Sequence, residues 1–133
     1  MYGVTQEQLD QIDALIVSDL IGIGVHSVIV VDVAGNVIAE HDNGNANVDV
    51  HAFAALAAGN FAAVDAMAQL VGEREFSLHF HKGEDESIHF SKINDDILLI
   101  TIFGNDVSLG FLRLKTTEVI DKIKEMWKTT DYS

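Results

Sequence analysis

Two stretches of this chain read as strands that must be covered on both sides. Val25–Val33 and Ile97–Phe103 are rich in Val, Ile and Leu and carry apolar residues on both faces of an extended backbone. A strand of that kind belongs in the middle of a sheet with a layer above and a layer below, whereas a strand with one wet face alternates. The rest of the chain must therefore supply two covering layers and the flanking strands.

The other elements fit that demand. Thr5 with Gln8 three residues later forms a capping-box pattern, and Leu9, Ile12, Ile16 and Leu20 then recur at helical spacing. Gly22 and Gly24 end this first helix. Ala34-Gly35-Asn36 is a tight turn between Val25–Val33 and a short returning strand, Val37–Glu40. A polar loop follows, and Asp49 is placed to cap a long second helix that reaches Val71 and closes at Gly72. Glu75–His81 alternates, with Phe76, Leu78 and Phe80 on one face and Ser77, His79 and His81 on the other. A charged turn, Lys82–Glu86, leads to Ser87–Ile93, and Asn94-Asp95-Asp96 turns into Ile97–Phe103. The last helix runs from Ser108 to about Thr129 on a stripe of Leu112, Val119, Ile120, Ile123 and Trp127. The order is helix, two strands, helix, three strands, helix. Short turns imply antiparallel hairpins, so the fold class is α/β of the α+β kind, an antiparallel sheet between helices.

Composition bounds the function. With 133 residues and 48% hydrophobic content the chain is expected to form a single domain over 1–133 and to be folded rather than disordered. Eight basic against twenty-one acidic residues give a net charge of −13, which argues against nucleic acid and against anionic membrane surfaces as partners. Basic residues are uneven: residues 108–133 hold five of them against four acids. Without cysteine, disulfides, thiolate zinc sites and thiol catalysis are excluded. No apolar run approaches a membrane span, and Met1-Tyr2-Gly3 lacks the basic head of a signal peptide, so a cytoplasmic location is expected.

The Phe76 strand falls at or near an edge of the sheet, where an apolar ribbon is a pairing liability until something covers it. A second copy of the chain could cover it by strand addition. The second helix points the same way. Ala55, Gly59, Ala62 and Ala66 form a stripe of small residues, and Phe53, Leu56, Val64, Met67 and Val71 a bulkier stripe beside it. A glycine in mid-helix costs about 1 kcal/mol against alanine, so Gly59 suggests close approach of another backbone, from the chain's own sheet or from a twin. The expected homodimer interface is Ala55, Gly59, Ala62, Ala66, Phe76, Leu78 and Phe80.

Catalytic constellations are scarce. His79 and His81 share a strand face, and a hairpin centred near Glu84 would put His89 opposite His79, giving three imidazoles that could hold zinc, nickel or copper. A solvated strand face is the plainer account of the same residues. Asn45, Asn47 and Asp49 have the opening spacing of a calcium loop, but Val50 and Leu56 stand where Gly and Glu are required. Gly22-x-Gly24 precedes a strand instead of following one, and no phosphate-binding Gly-Lys-Ser/Thr occurs. No cofactor is expected, and no enzymatic activity. A small-ligand sensor is a weaker alternative, since sheets flanked by helices can host pockets.

Three stretches in this order resemble the Roadblock family, named for a dynein light chain and including bacterial MglB-type regulators of Ras-like GTPases. They are Ser27–Asp32 with Gly35–Ala39, the Ala-rich helix Ala54–Gly72, and Ser108–Leu114. The resemblance covers roughly residues 5–127. It implies a five-stranded antiparallel sheet between one long helix and two terminal helices, dimerised through the third strand and second helix into a continuous sheet. It further implies a small Ras-like GTPase as partner and a regulating or scaffolding role. An inserted arginine finger would need Arg74 or Arg113, the two arginines present, and Arg113 falls in the last-helix motif. Arg74, between the second helix and the third strand, stays open as such a finger, and otherwise stimulated hydrolysis is expected to proceed by repositioning the GTPase's own groups.

Overall fold

Helix α1 (Gln6–Asp19) opens with the expected capping box, Gln8 N donating to Thr5 Oγ1 at 3.1 Å and Thr5 N to Gln8 Oε1 at 2.9 Å. These two bonds satisfy backbone donors that a helix start leaves free. The helix stops at Leu20, and one 3-10 turn (Ile21–Ile23) delivers the chain through Gly24, at φ 108°, to the first strand. The computed structural model describes residues 5–44, 48–76 and 79–131. Its further elements are β1 (Ser27–Asp32), β2 (Val37–Asp42), α2 (Val50–Leu70), β3 (His79–Lys82), β4 (Glu86–Asn94), β5 (Ile97–Gly104) and α3 (Leu109–Asp131).

The five strands form one antiparallel sheet in the order β2-β1-β5-β4-β3. Every residue of β1 and β5 is buried, so the two doubly apolar strands are central, as their composition requires. Alternate residues serve two cores. Val28, Val30, Leu99 and Phe103 pack with Ile12, Ile16, Leu112 and Ile123 of α1 and α3. Ile29, Val31, Leu98 and Ile100 pack with Ala54, Ala57 and Phe61 of α2. The architecture is thus an α+β sandwich, with the sheet between α2 on one face and α1 with α3 on the other.

Two expectations change. Among the described residues the third strand is His79–Lys82, and Glu75 and Phe76, expected within it, are not part of it. Alternation reports which way side chains face, not whether the backbone is hydrogen-bonded. Leu78 falls outside the described residues. The second change concerns α2, which is long and apolar enough to cross a membrane by length and composition, contrary to the expectation from runs alone. Its apolar residues are interspersed with alanines, and it lies on the sheet through Ala54, Ala57 and Phe61.

Candidate functional site

Helix α2 begins at Asp49, whose side chain accepts from Ala52 N at 3.1 Å, and runs for 21 residues. Only one side of it is used by the fold. Ala54, Ala57, Ala58, Phe61 and Ala68 are buried, and their small size lets the helix lie close on the sheet. Gly35, at φ 92° in the β1–β2 turn, comes so near that an added Cβ would sit 3.1 Å from the Cα of Ala55. The rest of the small-residue stripe faces outward: Ala55, Gly59, Ala62 and Ala66 are exposed, and a Cβ at Gly59 would meet nothing within 4 Å. Beside it stand Leu56 at 75% exposure and Leu70 at 86%, with Met67 and Val71 also open. Gly59 is therefore not explained by contact with its own sheet.

The sheet edge next to α2 is open as well. β3 is paired through β4 alone, in the register His79↔Phe90, Phe80↔His89, His81↔Ile88 and Lys82↔Ser87. Phe80 turns inward and stacks on Phe103 with ring centroids 6.0 Å apart. Phe76 stays exposed, 6.4 Å from the His79 ring. Of the expected interface residues, the four on α2 and Phe76 are exposed, and Phe80 is half-buried within its own subunit.

The three imidazoles do not converge. The observed register pairs His89 with Phe80 rather than with His79, which places His89 on the α3 face of the sheet. His79 and His81 lie on the α2 face, against Phe61 and Phe90 respectively. Among the described residues no group of three or more His, Asp or Glu is arranged to hold a metal ion. Asn45 and Asn47 of the calcium-loop spacing fall outside the described residues, and Asp49 is engaged as the helix cap. Burial lowers the pKa of His79, partly opposed by Asp65. Burial, with Arg113 and His79 adding to it, pushes His89 down to about 4, so this ring is neutral at physiological pH.

A feature that sequence reasoning missed is a cleft lined by His79, His89 and Ser91 of the sheet, Arg113, Thr117, Asp121 and Lys124 of α3, and Phe61, Glu75 and Phe76. Its signal was present as the helical spacing of Arg113, Thr117, Asp121 and Lys124 on α3. Locating it required the hairpin register as well. Arg74 is exposed just after α2, and Arg113 lies on α3.

Residues 23–103, which take in the whole sheet apart from Gly104 together with α2, match the Roadblock/LC7 domain. The chain belongs to the Roadblock/LC7 family. Among solved structures it is similar to Myxococcus xanthus MglB, at 30% identity and a TM-score of 0.82, over 90% of this chain and 96% of that one. It is also similar to the gliding protein MglB of Thermus thermophilus, at 24% identity and a TM-score of 0.82, over 92% and 94% of the two chains. An MglB described as having a tetrameric arrangement matches at 23% identity and a TM-score of 0.82, over 90% of this chain and 89% of that one. The last two likenesses speak for the Roadblock/LC7 fold alone. No curated protein matches the chain in a sequence comparison.

Proposed function

We propose that this Roadblock/LC7 protein is a non-catalytic interaction module, a single cytoplasmic domain that pairs with a second copy of itself and regulates or scaffolds a small Ras-like GTPase. One observation carries the pairing: α2 presents an outward apolar face, Ala55, Leu56, Gly59, Ala62, Ala66 and Leu70, beside a sheet edge that ends at β3. Exposed apolar area of this kind next to unpaired strand hydrogen-bonding groups favours association. Two β3 strands related by a twofold axis would join the sheets, and the two α2 helices would meet over the join at their small residues. The likeness to MglB supports the GTPase as partner. Arg113 lies on α3, which leaves exposed Arg74 as the candidate for an inserted finger; without one, any effect on hydrolysis would come from repositioning the GTPase's own groups.

Size-exclusion chromatography with light scattering tests the pairing, with a mass near twice 14.5 kDa expected at micromolar concentration. A strict monomer would remove its basis. A pull-down with this chain as bait tests the partner: a Ras-like GTPase retained in a nucleotide-dependent way is expected, and its absence counts against the regulatory role.

A further inference from the structure

The two edges of the sheet differ in chemistry. β3 carries His79, Phe80, His81 and Lys82 and no carboxylate, whereas β2 carries Glu40 and Asp42 and neither lysine nor arginine. The asymmetry extends beyond the strands: residues 1–73 hold ten acidic residues and no lysine or arginine at all. β2 pairs with β1 on one side, and among the described residues no strand pairs with its other side.

The phase of the ladder decides which backbone groups that outer edge offers. Asn43 N donates to the His26 carbonyl at 2.9 Å, and Asp42 lies opposite Ser27. In an antiparallel pair, residues bonded to the partner strand alternate with residues turned away from it. His41 and Ala39, opposite Val28 and Val30, therefore bond to β1, and Glu40 and Asp42 direct their N–H and C=O groups outward. The side chains of these two share the α2 face, Glu40 standing opposite Ile29. Glu40 is exposed, and its carboxylate has no ion-pair partner among the described residues. Asp42 Oδ1 accepts from Gly44 N. On the other face α1 adds Asp13, whose Oδ1 lies 3.0 Å from His41 Nε2.

We propose that the outer edge of β2 takes an extended segment of another protein by strand addition, one that carries lysine or arginine at alternate positions. Main-chain bonds to Glu40 and Asp42 supply the docking, and side chains two apart on the incoming strand stand over the two carboxylates. Opposite charges placed across a strand pair attract, and like charges repel. The same rule turns a twin away from this edge, because a second β2 would set Glu40 and Asp42 against their own copies. The acid-free β3 edge carries no such bar. A dimer joined through β3 keeps both β2 edges at its outer ends and holds two basic segments at once. That valency rests on the proposed pairing; binding to one edge does not.

The probe is a short capped peptide of alternating lysine and valine, titrated at constant ionic strength into ¹⁵N-labelled protein and followed by NMR. Its control is the same peptide methylated on the backbone nitrogens of its lysines, which keeps the charge and loses the donors. Saturable shifts at Glu40 and Asp42, with slowed amide exchange at Glu40, are expected from the probe. The methylated peptide should bind at least tenfold more weakly. Glu40→Lys should weaken the probe at least tenfold, while Lys82→Ala leaves it unchanged. Equal binding of the two peptides would overturn the proposal, since charge alone would then suffice. Shifts that do not saturate, or that centre on β3, would also overturn it. Light scattering on the same sample separates this inference from the pairing: a dimer that ignores the probe overturns the first alone, and a monomer that binds it the second alone. Because Glu40 is exposed, circular dichroism should show Glu40→Lys folded.

Discussion

Asp32 grips Asn36 by two atoms, one carboxylate oxygen accepting from the backbone N at 2.8 Å and the other from Nδ2 at 3.0 Å. The first oxygen also accepts from Ala34 N at 3.0 Å, so a buried carboxylate organises the whole β1–β2 turn. That turn carries Gly35 against α2 at Ala55, which ties the placement of the apolar helix face to the hairpin. Replacing Asp32 by Ala leaves these donors without their charged acceptor and is expected to cost about 2–3 kcal/mol. Urea denaturation checks it, and an unchanged midpoint would contradict the assigned role.

His89 gives the stability a pH dependence of known sign. Its folded pKa lies at about 4, below the ordinary value of 6.5, so between those limits the unfolded chain takes up a proton that the native state refuses. The native state is therefore expected to keep this contribution above pH 6.5 and lose about 3 kcal/mol of it as pH falls toward 4. His79 is lowered as well and acts in the same direction. Carboxylates titrate at the acid end, so the comparison that isolates His89 is wild type against His89→Gln, whose profile should be flatter from pH 6.5 to about 4.5. Parallel profiles would show that burial of this ring does not set the slope.

Element order and the central position of β1 and β5 were legible because burial on both faces leaves a direct mark on composition. The stripe of Ala55, Gly59, Ala62 and Ala66 was legible too, through helical spacing, but its exposure was not, since the same spacing suits a helix pressed on its own sheet. What failed was register. A turn centred on Glu84 pairs His79 with His89, whereas the observed turn, closed by Gly83 N donating to Glu86 O at 2.8 Å, pairs His79 with Phe90. Half a residue at the turn centre slides the partner by one position and moves His89 to the other face of the sheet. The same slip hid the cleft, since Arg113 and His89 come together only on the α3 face.

The separation of the imidazoles sets an expectation for metals. His79 and His81 supply two nitrogens on one face, and His89 stands across the sheet, so no three-histidine site assembles from them in one subunit. Elemental analysis of protein purified without a polyhistidine tag should give no stoichiometric zinc, nickel or copper. Added Zn²⁺ should leave the melting temperature of wild type and His89→Gln shifted equally. A shift that depends on His89 would mean that the pairing of β3 and β4 is wrong.

Gly59 separates a helix that needs a partner from one that does not. Within one subunit nothing lies within 4 Å of a Cβ built there, so Gly59→Ala should stabilise the isolated chain by about 1 kcal/mol through helix propensity alone. If the α2 helices of two copies meet at this stripe, the same methyl group holds their backbones apart and weakens association. The expected result is a higher melting temperature for dilute monomer together with a dimer dissociation constant raised severalfold, read by light scattering or sedimentation. Leu70→Glu, at a position 86% exposed, should leave the subunit folded while placing a charge on the apolar face and lowering the dimer fraction further. A dimer that tolerates both changes would have to be built on some other surface, and the glycine would then have no role that either the subunit or its pairing requires.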